Sequence, residues 1–184
     1  MSELRVNIGC GRKFRHAPGF VNVDKNPRNE PDLLFDCETF PWPWVDASVA
    51  EIRAWHSLEH MGQDPKVFLG IVLEAHRVLK PNGLWHIKVP HPYSYGWIQD
   101  FTHVRIVTPT VMAAFSKRSN EYGLAQGWPV QPYALDFDID FEFDKIEYHV
   151  MPDWAGVAGE IAIKAMDRYI GVCDEIEMIL RKVG

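Results

Sequence analysis

Apolar residues in the first half of the chain fall into short dense runs, each ending at a glycine or a polar side chain. Leu4 to Ile8 ends at Gly9, Phe20 to Val23 at Asp24, Leu33 to Phe35 at Asp36, and Val49 to Trp55 at His56. Runs of this length, closed by turn residues, predict buried strands. A different period follows. Val67, Phe68, Ile71, Val72, Ala75, Val78 and Leu79 recur at helical spacing. Asp64 can cap that helix with Pro65 at its first position, and Pro81-Asn82-Gly83 stops it. Leu84 to Val89 predicts a fifth strand before Pro90, and Thr108-Pro109 opens a second helix through about Phe115.

The tail alternates instead. LDFDIDFEFD, residues 135 to 144, has apolar and acidic residues at period two, which predicts a half-exposed strand continuing to about Val150. Gly159 to Ala165 is expected to pair with it antiparallel, and Tyr169 to Leu180 to form a helix. Strands alternating with helices, then a late strand pair, predict a three-layer α/β domain spanning residues 1–184. Residues 12 to 19 contain Pro18 and Gly19, so the first crossover helix is truncated to about two turns at best.

Gly9, Asp24, Asp36, His56 and His91 each stand just after a predicted strand. In sheets of this kind ligands sit at the carboxyl ends of the strands, near the point where strand order reverses. Gly9 and Gly11 let the backbone turn sharply and approach a ligand closely, although a tight turn alone would explain them. Asp24 is placed to accept from the two hydroxyls of a ribose, and Asp36-Cys37 to bracket an adenine. A dinucleotide loop wants a third glycine and a long helix facing a pyrophosphate, but position 14 is Phe and the crossover is short. A nucleoside ligand without phosphate, such as S-adenosylmethionine, needs only the close approach and the ribose acid.

Composition narrows the partners. A net charge of −6 argues against broad nucleic-acid binding, and 47% hydrophobic with 24% charged residues is ordinary for a soluble protein. Cys10, Cys37 and Cys173 form neither a disulfide framework nor a zinc knuckle. No leader or apolar run of ~18 residues is visible, so a cytoplasmic protein without membrane attachment is expected, of open oligomeric state.

VNIGCG (6 to 11), GFVNVD (19 to 24), DLLFDCETFPWPW (32 to 44), VAEIRAWHSLEHM (49 to 61) and EAHRVLKPNGLWHIKVP (74 to 90) occur in this order. Together they resemble the motifs of class I S-adenosylmethionine-dependent methyltransferases. DFTHVRIVTPTVMAAF (100 to 115) resembles a subgroup linked to surface-sugar modification and to phage genomes. The resemblance covers roughly residues 4 to 115. It implies a Rossmann-like seven-stranded sheet, mostly parallel with an antiparallel last strand, and S-adenosylmethionine as cofactor. By position it implies that Gly9, Cys10 and Gly11 face the methionine part, Asp24 holds the ribose, Asp36 and Cys37 flank adenine, and His56 lies beside the methyl. Asn7 departs from the family, which often has an acid there.

On the acceptor side a hydroxyl needs a base, and His60, His91 and His103 are candidates, with Asp100 as orienting partner or base. Tyr93, Tyr95 and Trp97 could line an acceptor pocket or pack a loop. The expected acceptor is a small molecule, such as a sugar or nucleotide-sugar hydroxyl, and no metal is expected. HSLEH also matches a zinc peptidase pattern through His56, Glu59 and His60, but it begins where a buried strand ends. A methyltransferase fold that binds cofactor or partner without catalysis is the other alternative. Asp136, Asp138 and Asp140 would sit ~6.6 Å apart on a flat strand, too wide to share one calcium ion, so a solvated face is expected. PWPW, residues 41 to 44, is expected to lid the adenine side or pack a turn.

Overall fold

The computed structural model describes residues 3–129, 131–157 and 159–184, with Phe14 described by its backbone alone. Seven strands form one sheet: β1 (Leu4–Ile8), β2 (Val21–Asp24), β3 (Leu33–Leu34), β4 (Val49–Trp55), β5 (Leu79–Pro90), β6 (Phe141–Val150) and β7 (Cys173–Lys182). Their order is β3-β2-β1-β4-β5-β7-β6. β1 to β5 run parallel, and β7 pairs antiparallel with both β5 and β6. The α/β sheet with its antiparallel last strand is as expected. Strand order reverses between β1 and β4, so the crevice for a ligand opens at their carboxyl ends.

The helices are α1 (Pro65–Val78), α2 (Tyr95–Gln99), α3 (Pro109–Met112), α4 (Lys117–Ala125), α5 (Tyr133–Asp136) and α6 (Gly159–Met166). α1 starts where its cap signal lies: the Asp64 carboxylate accepts from the Lys66 N–H, and Pro65 needs no partner. Its stripe of Phe68, Ile71, Val72, Ala75 and Val78 is buried against the sheet. β5 begins at Leu79 directly after α1 and carries Pro81-Asn82-Gly83 as an irregularity near its start. Thr108 caps α3 through its hydroxyl, and a single 3-10 turn, Ala113–Phe115, completes the helix expected there.

The two faces of the sheet differ. Val6, Ile52, Ala54, Trp85, Ile87, Met178 and Leu180 point to one side and form the main core with α1. The register places Arg5 beside Glu51, Arg53 beside His86, and Lys88 beside Glu177 on the other side. There the side chains are half-buried among ion pairs such as Arg5–Glu51 and Lys145–Glu177. The connections that would thicken this second layer are short: β1 to β2 holds one 3-10 turn (Lys13–Arg15) and β2 to β3 another (Pro27–Asn29). The truncated first crossover is as expected.

Three tail expectations are corrected. Residues 135 to 140 are not strand: Tyr133–Asp136 is a helical turn, and Asp138 has φ +51. Lys117 occupies the acids there, its Nζ pairing with Asp138 and its N–H donating to Asp140. Residues 159 to 166 form α6, not a strand, burying Ala162, Ala165 and Met166 while Ile161 and Ile163 stay exposed. Residues 173 to 182 form β7, not a helix, burying Ile176, Met178 and Leu180 at period two. Tyr169, Val172, Cys173, Ile176 and Leu180 also suit helical spacing, so periodicity alone could not separate the alternatives. Pairing with two neighbouring strands decided it.

Candidate functional site

The turn after β1 is set by two glycines in the left-handed region, Gly9 at φ +60 and Gly11 at φ +63. A Cβ on Gly9 would stand 2.5 Å from the Ser57 Cβ, so the bare backbone lets β1 and the turn after β4 approach each other. The Gly11 N–H donates to Asp24 Oδ2 at 2.9 Å, and the Asn26 N–H to Oδ1 at 2.8 Å. Asp24 thus ties together the turns after β1 and β2, and each oxygen keeps a lone pair for a further donor.

A cavity of about 740 Å³ opens at these strand ends, lined by Gly9, Gly11, Asp24, Asp36, Cys37 and His56. Six of the seven residues expected around the cofactor therefore share one space. Cys10 lies beside a smaller neighbouring cavity with Asn7, Arg53 and Trp55, its Sγ 3.4 Å from His16 Nε2. Burial, with Asp24 nearby, pushes the Cys10 thiol up to about 12, and burial beside Asp36 does the same for Cys37. Both thiols are packing atoms rather than nucleophiles. Asn7 is buried and its side-chain amide donates to Asn22 Oδ1 at 2.9 Å, joining β1 to β2. PWPW packs a turn: the Trp42 indole donates to the Cys37 carbonyl, and the Arg77 fork bonds the carbonyls of Trp42 and Trp44.

His56 follows β4 with φ +50, a backbone region that non-glycine residues seldom occupy. Its Nε2 lies 2.8 Å from Glu175 Oε1, and its Nδ1 lies 3.5 Å from Glu59 Oε1. Burial opposes charge on Glu175, but Lys88 and His56 hold its carboxyl below the usual range.

Past His56 a second cavity of about 230 Å³ is lined by Glu59, His60, Asp100, His103 and Glu175. His56 and His60 line both cavities. The segment Leu58–His60 is a 3-10 turn, and the Glu59 carbonyl accepts from the N–H groups of Val104 and Arg105, which holds the loop after α2 against it. The rings of His60 and His103 lie 4.7 Å apart, and Trp97 stacks on His103 at 4.8 Å. Asp100 Oδ1 accepts from the Thr102 hydroxyl at 2.6 Å, and that hydroxyl lies 3.0 Å from His60 Nδ1.

Three of the four acceptor-side candidates, His60, Asp100 and His103, thus come together. His91 does not: its Nδ1 accepts from the Tyr93 N–H at 3.2 Å, and burial lowers its basicity. The zinc peptidase set is not formed, because His56 and His60 do not share a helix face and His56 faces Glu175. Among the described residues, neither group of ligand atoms close enough to hold a metal contains His56. Sequence reasoning missed Ser57 and Thr102, which line the larger cavity, and Glu175. Glu175 carried no signal because its segment suited a helix as well as a strand.

No protein-family model and no curated protein matches this chain. Solved structures do match its fold. A SAM-dependent methyltransferase from Archaeoglobus fulgidus aligns at TM-score 0.64 and 19% identity, over 98% of this chain and 86% of that one. The [4+2]-cyclase SpnF aligns at TM-score 0.56 and 17% identity, over 99% and 76%. The YcgJ protein of Bacillus subtilis aligns at TM-score 0.55 and 15% identity, over 98% and 92%. Among the described residues no helix is long and apolar enough to cross a membrane. With a seven-stranded sheet of this order, a glycine turn after β1 and an acid after β2, the chain has the fold of the class I S-adenosylmethionine-dependent methyltransferases.

Proposed function

We propose that the protein is an S-adenosylmethionine-dependent methyltransferase acting on a small-molecule acceptor, with a sugar or nucleotide-sugar hydroxyl as the acceptor class. The observation that carries this reading is the cavity of about 740 Å³ uniting Gly9, Gly11, Asp24, Asp36, Cys37 and His56 at the strand-order reversal. The residues suit the cofactor. The glycine backbone is bare where the methionine part would lie, Asp24 has acceptor capacity left for ribose hydroxyls, and the Ser57 hydroxyl is buried without a partner beside Gly9.

Bound there, S-adenosylmethionine would supply a methyl group activated as a sulfonium, with Gly9, Gly11 and Asp24 holding the cofactor. The chain's own task is to align the acceptor and let its proton leave. His60, Asp100 and His103 flank the adjoining cavity and belong to that acceptor side. Exposed Tyr93 and Tyr95 offer faces on which a ring could rest. His91, outside the cluster, supports the end of β5.

The test is calorimetric titration with S-adenosylmethionine. Micromolar binding is expected for the wild-type chain, weakened at least tenfold by Asp24→Asn and more by Asp24→Ala. Failure of the folded wild-type protein to bind at millimolar cofactor would defeat the reading. A second reading, cofactor binding without methyl transfer, draws on the cyclase that shares this fold. Formation of S-adenosylhomocysteine over a panel of nucleotide sugars separates the two.

A further inference from the structure

Glu59 is 1% exposed, yet among the described residues one of its carboxylate oxygens has no hydrogen-bond partner, and the other lies 3.5 Å from His56 Nδ1. A buried carboxylate left in this condition is costly unless a cation joins it. Two imidazoles stand in position to share one. One ligand atom each from Glu59, His60 and His103 lies within 4.8 Å of the others, close enough to surround a single ion.

The second contacts of both rings point the same way. His103 Nδ1 lies 3.1 Å from the Trp97 carbonyl, and His60 Nδ1 lies 3.0 Å from the Thr102 hydroxyl and 3.3 Å from its carbonyl. A proton on each Nδ1 leaves Nε2 with a free lone pair, which is how metal-binding histidines are commonly oriented. Thr102 in turn bonds Asp100, whose Oδ2 lies 3.8 Å from His103 Nε2 and within reach as a further oxygen ligand.

We propose that Glu59, His60 and His103 bind a divalent first-row transition ion, with Asp100 at its edge. Two nitrogens and one carboxylate suit zinc, cobalt, manganese or iron(II), whereas magnesium and calcium favour all-oxygen sets. The set differs from the peptidase pattern in the sequence, since His103 replaces His56. The site itself does not depend on methyl transfer. Resting on that reading, the ion's remaining positions would face the acceptor cavity, where a coordinated hydroxyl loses its proton more easily.

The chelator-treated full-length protein, without S-adenosylmethionine, is titrated with Co²⁺ and Zn²⁺ by calorimetry and visible absorption. One ion per chain with micromolar affinity is expected, with Co²⁺ bands of mixed nitrogen and oxygen ligation. His60→Gln, at an exposed position, and His103→Gln should each weaken binding at least tenfold, with unchanged circular dichroism as the folding control. His149→Gln removes the ring of the other close ligand group, Glu147, His149 and Glu177, and should leave affinity unchanged. Absence of binding at 100-fold excess metal, or binding lost with His149→Gln but kept in His60→Gln, overturns the proposal. Asp24→Asn should retain metal binding, so failure of the cofactor reading and failure of the metal site are separately visible.

Discussion

Gly9→Ala tests the architecture of the site at its tightest point. The new Cβ would stand 2.5 Å from the Ser57 Cβ and 3.0 Å from the Met61 methyl, on a backbone at φ +60. Left-handed backbone costs a non-glycine residue roughly 1–2 kcal/mol. Forcing a methyl into filled space adds about 1–3 kcal/mol. The combined loss is about 2–5 kcal/mol. Gly19→Ala supplies the control, because Gly19 has φ +78 but nothing within 4 Å of the added carbon. It bears the backbone cost alone, roughly 1–2 kcal/mol. In urea, with a slope of about 2 kcal/mol per molar, the Gly9 variant should lose about 1–2.5 M of midpoint and the Gly19 variant about 0.5–1 M. The Gly9 variant should also bind S-adenosylmethionine more weakly, since Ser57 and Met61 line the same cavity. Equal midpoint losses for the two variants would refute the argument that close approach, rather than backbone conformation, fixes glycine at position 9.

Acid should destabilise the fold through His76. Burial, with Lys182 and Lys117 nearby, lowers its pKa from 6.5 to about 4, and its Nε2 accepts from the Asp140 N–H. The unfolded chain therefore takes up a proton that the folded one refuses, so this contribution is complete above pH 6.5 and is lost as pH falls towards 4. The shift sets a ceiling of ~3 kcal/mol, and screening at this half-buried ring brings the effect to about 1–2 kcal/mol; His76→Gln should flatten the urea midpoint over that range relative to wild type. Arg77→Lys should cost about 1–3 kcal/mol, because a lysine cannot bond Glu74, Asp46 and the carbonyls of Trp42 and Trp44 together. Tryptophan fluorescence during urea unfolding reports it, and an unchanged midpoint would remove Arg77 as the clasp of that turn.

Much of the first half was legible because its signals are local. The Asp64-Pro65 cap, the helical stripe of α1 and the bounds of β4 all follow from residues within a few positions of one another. The residues expected on the cofactor side share one cavity for a related reason: a residue just after a strand in a parallel sheet lies on the edge where ligands bind in such folds. Cys10 is the exception, since neighbouring residues in a tight turn point different ways. The tail was not legible. Its segments satisfy both periods, and only the hydrogen bonds of β7 to β5 and β6 select the strand.

The sequence by itself determined the strand-end features of the first half: glycines that accept φ near +60, an acid at the end of the next strand that receives the Gly11 N–H, and a crossover too short for a pyrophosphate helix. Tertiary structure decided which residues gather in the cavity past His56. His103 joins Glu59 and His60 where the Glu59 carbonyl accepts from the N–H groups of Val104 and Arg105 and the Arg105 guanidinium bonds the Gly62 carbonyl. That contact is between residues far apart in the chain, so no local pattern encodes it. It forms because backbone donors and acceptors near a buried edge must find partners wherever the packed sheet and loops present them.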